Sequence, residues 1–266
     1  MARILETIIE AKRREVRERE KEVSLRQMLA QAARAPKAQS LAEALRPPNA
    51  PDDGKPKLIA EIKRKSPSAG AIVENLDVTV TAQTYEQAGA AAISVLTNER
   101  FFGGSLADLT AAREATSLPI LRKDFIVNPY QIFEARAAGA DAVLVIVATG
   151  ADQADVANYI EYAERVGMDT IVEVHTRDEL TVARRAGAKI IGINNRDLQS
   201  FEVDLATTGQ LTMMVPQDTI IISESGIHTA DDVQKLYDSG ADAILVGEAL
   251  LANRVDPAMK IRELLG

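Results

Sequence analysis

The chain has 266 residues, 46% of them hydrophobic and 26% charged, and its 39 acidic against 31 basic residues give a formal net charge of −8. This balance is that of an ordinary globular protein, and the excess of acidic residues argues against a nucleic-acid-binding surface, which is normally basic. The sequence contains no cysteine, which excludes disulfides, thiolate metal sites and cysteine nucleophiles.

The apolar runs, such as Ala142–Ala148, are far shorter than the roughly 20 residues that cross a bilayer. Charged residues occupy Lys12–Glu15, where a secretory signal would need an apolar stretch. We therefore expect a cytoplasmic protein with neither a membrane nor a nucleic acid as its partner. The length accommodates one large α/β barrel or two domains of average size.

The first segment, residues 1–46, is predicted to be a helical extension. Ile4, Leu5 and Ile8 fall at helical spacing, and the mixed-sign charges after them are typical of a solvated helix face. The prolines and the glycine within residues 47–56 predict a linker. We expect the whole chain to form a single barrel domain that includes this extension and this linker.

After the linker, short β-branched runs alternate with amphipathic helical stretches. The predicted strands are Leu58–Ile62, Ala92–Leu96, Ile120–Leu121, Ala142–Val147, Thr170–Val174, Lys189–Ile193, Thr219–Ile222 and Ala243–Val246. The clearest helices between them are Asn128–Ala138, Ala151–Arg165, Thr176–Ala186 and Thr229–Ser239.

A weak internal repeat joins these elements, because a helix repeatedly ends in a small residue plus glycine and a strand begins almost at once. The glycines, which suit the left-handed position that closes a helix, are Gly89, Gly139, Gly167, Gly187 and Gly240. Recurring helix–glycine–strand units imply parallel strands, and about eight units of roughly 27 residues predict a (β/α)8 TIM barrel. A doubly wound open sheet is the alternative, but no G-x-G-x-x-G follows the first strand.

The first predicted strand ends in charged residues. Its two-residue period places Glu61 and Lys63 on one face, with Ile62 opposite. On a barrel strand that face is the interior, where charges are costly unless they pair or take part in chemistry. The alternative is a structural ion pair at the barrel mouth.

Polar residues also end other strands, namely Lys123, Glu173, Asn194, Arg196 and Glu224. In barrel enzymes the carboxyl ends of the strands carry the active site. One buried charge is usually structural, whereas several convergent charges of both signs indicate a functional site.

The last two strands are followed by a predicted phosphate site. Ser225-Gly226 and Gly247 allow backbone amides to approach an anion, and a helix starting at Glu248 would point its positive end at that anion. The loops after strands seven and eight are the usual phosphate position in this fold. Alternatively, both glycines are ordinary turn residues.

Two further features are weaker. His175 and His228 form no metal cluster or catalytic triad in the sequence and are predicted to be structural or solvent-facing. Phe101-Phe102 precedes paired glycines, which favours a mobile apolar lid over simple loop packing.

Six motifs together resemble those of indole-3-glycerol phosphate synthase, an enzyme family of tryptophan biosynthesis. They are Glu61–Ser68, Leu96-Thr97 with Phe102–Gly104, Leu121–Ile126, Glu173–His175, Ile193–Leu198 and Ser223–Ile227. The resemblance runs from the helical extension to the last strand. It implies a lyase that converts 1-(2-carboxyphenylamino)-1-deoxyribulose 5-phosphate to indole-3-glycerol phosphate, CO2 and water, with no cofactor and no metal.

The resemblance also implies roles for individual residues. Lys123 would be the general acid at the substrate carbonyl, and Glu173 would handle the later proton removal or dehydration. Lys63 would anchor the substrate carboxylate and phosphate and supply a proton when the hydroxyl leaves, while Glu61 would stabilise positive charge on the ring nitrogen. A lysine is a usable acid near neutral pH, particularly where neighbouring cations and burial lower its pKa.

The remaining implied residues bind the substrate. Asn194 and Arg196 would hold the anthranilate part. The other substrate-binding residues are Ser66 as a closing group, Ser225, Gly226 and Gly247 at the phosphate, Leu96, Leu144 and Phe125 as an apolar wall, and Glu224.

Two alternatives stay open at this point. The first is another phosphate-binding barrel, such as a sugar-phosphate isomerase, although the isomerase of this pathway uses a cysteine that the chain lacks. The second is a non-catalytic sensor of a phosphorylated ligand, with the N-terminal helices as its partner surface. The sequence leaves the oligomeric state open.

Overall fold

The computed structural model describes residues 2–46, 54–67, 70–73, 76–197, 200–252 and 255–266. The strands are β1 (Lys57–Ile62), β2 (Lys65–Ser66), β3 (Gly70–Ala71), β4 (Ala92–Leu96), β5 (Ile120–Lys123), β6 (Ala142–Ile146), β7 (Asp169–Val174), β8 (Ile190–Asn194), β9 (Ile220–Glu224) and β10 (Ala243–Val246). The helices are α1 (Ala2–Glu22), α2 (Leu25–Ala32), α3 (Leu41–Leu45), α4 (Val78–Gln87), α5 (Glu99–Phe102), α6 (Leu106–Ala115), α7 (Tyr130–Ala137), α8 (Gln153–Arg165), α9 (Arg177–Arg185), α10 (Ala206–Thr212), α11 (Ala230–Asp238), α12 (Glu248–Leu251) and α13 (Pro257–Leu265), with a 3-10 turn at Val147–Thr149.

Eight parallel strands close into a barrel in the order β1-β10-β9-β8-β7-β6-β5-β4. Closure depends on β1, which pairs with β10 on one side and with β4 on the other. The arrangement confirms the predicted (β/α)8 barrel and excludes the open sheet. Each predicted strand is present, with bounds that differ by at most two residues.

The helix–glycine–strand repeat has the predicted backbone conformation. All five repeat glycines have positive φ. At Gly139, where φ is 99°, an added Cβ would also come within 2.9 Å of Arg113 Cγ. The small residue at this point therefore lets the helix end and the next strand begin without a clash.

The N-terminal extension is helical as predicted, but it forms three helices that reach both ends of the barrel. The apolar residues of α1 lie over the carboxyl ends of the strands. At the opposite end, Leu41 and Leu45 of α3 are fully buried among interior residues such as Ile59 and Leu121. The extension therefore closes the bottom of the barrel while its first helix contributes to the top.

The predicted linker, residues 47–56, falls largely at 47–53, outside the described residues, and 54–56 belong to no helix or strand. Ser68 and Leu198, which end two of the family motifs, also lie outside the described residues. Among the residues that are described, no helix combines the length and apolar character that a bilayer span requires.

Candidate active site

A pocket of about 190 Å³ opens at the carboxyl ends of the barrel strands. It brings together the fourteen residues proposed from the sequence, although they come from all eight barrel strands or the segments that follow them. They are Glu61, Lys63, Ser66, Leu96, Lys123, Phe125, Leu144, Glu173, Asn194, Arg196, Glu224, Ser225, Gly226 and Gly247.

Two lysines in this pocket are held by three carboxylates. Lys123 Nζ lies 2.9 Å from Glu173 Oε2 and 3.1 Å from Glu224 Oε2. Lys63 Nζ lies 2.8 Å from Glu61 Oε1. The two-residue strand period does place Glu61 and Lys63 on the same inner face, and the neighbouring charges make this more than an isolated structural pair.

The surroundings of Lys123 raise its pKa above the ordinary lysine range. Burial by itself lowers this pKa, but the carboxylates of Glu173, Glu224 and Glu61, in that order, outweigh it. Burial acts in the direction considered from the sequence, but the nearest charged groups are acidic and not cationic, so the pKa of Lys123 rises overall. The ammonium form of Lys123 is therefore stabilised.

The two carboxylates that share Lys123 have opposite pKa shifts. Burial raises the pKa of Glu173, but the charges of Lys123 and then His175 outweigh burial and lower it to about 2. Burial raises the pKa of Glu224 to about 7, because the attraction of Lys123 does not compensate for burial and the repulsion of Glu173. Two neighbouring carboxyl groups in different protonation states are a common basis for acid–base catalysis.

Hydrogen bonding separates the same two groups. Glu173 accepts a hydrogen bond from Lys123 and one from Asn194 Nδ2, at 3.3 Å. Glu224 is paired with Lys123, 3.1 Å away, and neither of its carboxylate oxygens accepts a hydrogen bond from any other described residue. Glu224 therefore retains the capacity to bind a substrate group.

Arg196 is held at the rim of the pocket. Its backbone N–H donates to Asn194 Oδ1 at 3.0 Å, and its guanidinium donates to the carbonyl of Phe201 at 3.2 Å. A guanidinium nitrogen also lies 3.7 Å from a carboxylate oxygen of Glu248. These contacts fix a cation beside the amide of Asn194, in an arrangement suited to a planar carboxylate.

The segments after β9 and β10 contain two glycines at close approaches. A Cβ at Gly226 would lie 2.2 Å from Val203 Cγ1, and one at Gly247 would lie 2.5 Å from Glu61 Oε1. Ser225 and Gly226 also both have positive φ, at 71° and 80°. Packing therefore requires these glycines, and they are more than interchangeable turn residues.

One wall of the pocket is apolar. Phe125 and Phe102 have ring centroids 6.1 Å apart, so the aromatic residue predicted to belong to a lid packs against the wall in this structure. Sequence reasoning missed the contribution of Ile4, Leu5 and Ile8 from α1, which also line the pocket. Their helical spacing predicted a buried face but contained no signal about which surface would cover it.

The two histidines differ. His228 is exposed on the rim of the pocket, as predicted for a solvent-facing residue. The side chain of His175 is only 9% exposed, and its ring approaches Glu173. Among the described residues, no three His, Asp or Glu side chains are arranged to hold a metal ion.

A family model described as "Indole-3-glycerol phosphate synthase" matches residues 5–264. The chain belongs to the indole-3-glycerol phosphate synthase family. An indole-3-glycerol phosphate synthase of Parafrankia sp. (strain EAN1pec) is 44% identical, over 98% of this chain and 94% of that protein. One of Dehalococcoides mccartyi (strain CBDB1) is 49% identical, over 79% of this chain and 81% of that protein.

Solved structures of other proteins share the fold. The chain superposes on thiamine phosphate pyrophosphorylase from Pyrococcus furiosus with a TM-score of 0.58 at 17% identity, covering 80% of this chain and 94% of that one. It superposes on N-acetylmannosamine-6-phosphate 2-epimerase from Clostridium perfringens with a TM-score of 0.56 at 18% identity, covering 76% and 90%. At this identity the likeness shows the barrel fold alone, whereas membership of the synthase family rests on the sequence matches.

Proposed function

We propose that this chain is an indole-3-glycerol phosphate synthase, which closes the indole ring of 1-(2-carboxyphenylamino)-1-deoxyribulose 5-phosphate with loss of CO2 and water. The observation that carries the proposal is Lys123, a buried ammonium shared between two carboxylates of opposite pKa shift. We also infer that the enzyme works in the cytoplasm on a free small molecule, without a nucleic acid or a membrane. The net charge of −8 supports the absence of a nucleic-acid partner.

In the first step, Lys123 protonates the substrate carbonyl oxygen as the aromatic carbon attacks. Its pKa is raised, so it enters the reaction as an ammonium. The alkoxide that develops on the attacked carbon is a stronger base than a lysine amine, and the proton therefore still transfers downhill. A positioned general acid contributes on the order of 10²–10⁴ in rate, or roughly 3–5 kcal/mol.

In the second step, the ring carboxylate leaves as CO2 and the ring regains aromaticity. Asn194 and Arg196 would hold the anthranilate part until the bond breaks, with the carboxylate also in reach of Lys63. Glu61, which is buried beside Lys63, would stabilise the positive charge that develops on the ring nitrogen. This step needs no proton transfer, only the correct placement of charge.

In the third step, water is lost. Glu173 is held as an anion and would take the proton from the carbon next to nitrogen, while Lys63 would protonate the departing hydroxyl. Glu224, whose pKa is raised to about 7, is able to donate a hydrogen bond to a substrate oxygen near neutral pH. Three carboxyl groups thus have separate tasks that follow from their different surroundings.

The phosphate would bind where Ser225, Gly226 and Gly247 bring backbone to the pocket, with Ser66 closing over it. The apolar wall of Leu96, Leu144 and Phe125 would lie against the aromatic ring. Phosphate binding is remote from the bonds that change, so its binding energy serves to position the reacting atoms.

The test is to incubate the purified chain with the carboxyphenylamino substrate and follow the appearance of indole fluorescence. We expect turnover by the wild type and its loss in Lys123→Ala. Tight binding of a substrate analogue without turnover would favour the sensor, and a new sugar-phosphate isomer without indole fluorescence would favour an isomerase. Either result would overturn the proposed function.

A further inference from the structure

His175 precedes the N-terminal cap of helix α9, and its ring lies between the carboxylates of Glu179 and Glu173. Glu179 Oε2 accepts the backbone N–H of His175 at 2.7 Å and lies 3.2 Å from the ring Nδ1. On the other side of the ring, Nε2 lies 3.4 Å from Glu173 Oε1. The imidazole therefore connects a partly exposed carboxylate to the carboxylate proposed to act in dehydration.

The geometry selects one charge state of the ring. A carboxylate only accepts hydrogen bonds, so the contact with Glu179 places a proton on Nδ1. Nε2 is buried, completes no hydrogen bond with the described residues and lies 3.4 Å from Glu173 Oε1. A proton on Nε2 would place positive charge beside that carboxylate, so the position of the ring between two carboxylates favours the imidazolium.

The charges around the ring agree with this assignment. Three carboxylates face it from three elements, namely Glu173 on β7, Glu179 on α9 and Glu224 on β9. Burial lowers the pKa of His175, but the hydrogen bond to Glu179 and the charges of all three carboxylates outweigh burial and raise it above 6.5.

The start of helix α11 has the same sequence pattern of histidine, capping threonine and acid, and it serves as a comparison. Helix α11 also begins with a threonine cap, Thr229, and an acid three residues on, Asp232, which accepts the backbone N–H of His228 at 3.1 Å. His228, however, is exposed. Helix capping therefore explains Glu179 and Asp232 alike, but it does not explain why the ring of His175 is buried against Glu173.

We propose that His175 is a positioning residue for Glu173, and that its imidazolium, oriented by Glu179, holds the Glu173 carboxylate in place as an anion throughout the reaction. The proposal rests on the function proposed above. When Lys123 gives its proton to the substrate, Glu173 loses its principal cationic partner. His175 then remains as the adjacent positive charge, which keeps the carboxylate oriented and ionised until it takes the proton in the third step.

The experiment compares kcat and KM, and the pH dependence of kcat, in the wild type, His175→Gln, Glu179→Gln and the matched control Asp232→Asn. We expect His175→Gln to lower kcat by about tenfold with KM little changed, and to move the acidic limb of the pH profile upward because Glu173 is then easier to protonate. Glu179→Gln retains the ring but weakens its hold on the second proton. The kcat of Glu179→Gln should match that of the wild type at acidic pH, where His175 stays protonated, and that of His175→Gln at alkaline pH, where it does not. Asp232→Asn removes the charge from a comparable helix cap and should keep wild-type kcat and pH profile.

The outcomes separate this proposal from the proposed function. Without turnover by the wild type, the proposed function fails. With wild-type turnover, a His175→Gln profile that matches the wild type overturns only the positioning role. If His175→Gln does not fold, Glu179→Gln decides, since Glu179 is 21% exposed at its side chain. A kcat loss in Glu179→Gln that is equal at every pH, or matched by Asp232→Asn, would show a capping role and overturn the proposal.

Discussion

The two ends of the barrel each place three acidic residues at strand termini, and the partners of those residues differ. The acids at the amino ends of the strands are Asp141, Asp169 and Asp242, and those at the carboxyl ends are Glu61, Glu173 and Glu224. Asp141 and the three glutamates are buried, whereas Asp169 and Asp242 are half-buried. Burial alone therefore does not separate the two ends, because Asp141 is as buried as the glutamates.

At the amino ends, the carboxylates accept backbone N–H groups. Asp141 accepts the N–H of Ile120 at 2.8 Å and that of Gln39 at 2.9 Å, and it also pairs with Arg113 at 2.7 Å. Asp169 and Asp242 likewise accept backbone N–H groups, and they too bind the N-terminal extension. These donors are fixed by the fold, so each charge is fully committed to holding the chain together.

At the carboxyl ends, the carboxylates compete for side-chain ammonium groups. Glu173 and Glu224 share Lys123, and their pKa values move in opposite directions. An ammonium group shared by two carboxylates can exchange one of them for a substrate group and give that group a proton. A backbone amide held by the fold cannot do so. The comparison teaches that the nature of the partner, more than burial, separates a structural acid from a reactive one.

The largest effect should come from Lys123→Ala. We expect kcat to fall on the order of 10²–10⁴-fold, with the affinity for a phosphate analogue nearly unchanged, as steady-state kinetics and calorimetry would show. The control is Lys189→Ala, which removes an exposed lysine paired with Glu164 and should leave kcat unchanged. Near-normal kcat in Lys123→Ala would remove that residue from its proposed role.

The second effect concerns the other end of the barrel. Asp141→Ala should lower the free energy of unfolding by about 3 kcal/mol, because it leaves Arg113 and two backbone N–H groups without their acceptor. Denaturant titration measures this loss, and kcat of the folded protein should be unchanged. A fall in kcat at unchanged stability would contradict the division between the two ends.

A third, smaller effect should separate binding from chemistry. Gly226→Ala forces a Cβ to within 2.2 Å of Val203 Cγ1 at a positive φ, so we expect KM to rise about tenfold with a smaller change in kcat. Gly167→Ala is the matched control, since it has a similar φ and nothing within 4 Å of the new Cβ. Equal KM in both variants would place the phosphate elsewhere.

The smallest effect is on the pH dependence of stability. The pKa of Glu224 is raised on folding from 4.5 to about 7, so the folded protein holds a proton that the unfolded chain releases, and stability falls as pH rises through this window. Glu224→Gln lacks this penalty and should gain stability relative to the wild type between pH 5 and 7.

Glu173→Gln should behave in the opposite way. The pKa of Glu173 is lowered on folding, so its stabilising contribution is present above pH 4.5 and is lost as the pH falls through the folded pKa. Thermal unfolding across pH measures both variants. A wild-type-to-variant difference that is constant with pH for both would show that the two carboxylates are equivalent, which would contradict the contrast drawn here.

Much of the fold was predictable because its signals are local. The β-branched runs, the capping threonine before α9 and the glycine that ends each repeat act within a few residues of themselves. Side chains that line the pocket could also be predicted from the sequence, since strand alternation puts Glu61, Lys63 and Lys123 on the inner face at the strand ends.

What the sequence determined by itself is therefore the order of the elements, the inward direction of the polar side chains and the family to which their motifs belong. Only the tertiary structure decided that Glu173 and Glu224 share Lys123 and that their pKa values shift in opposite directions. It also decided that α1 lines the same pocket. It also placed the ring of His175 against Glu173. These outcomes depend on barrel closure and on the exclusion of water, because the pKa of each acid depends on charges that are distant in sequence and close only in the folded chain.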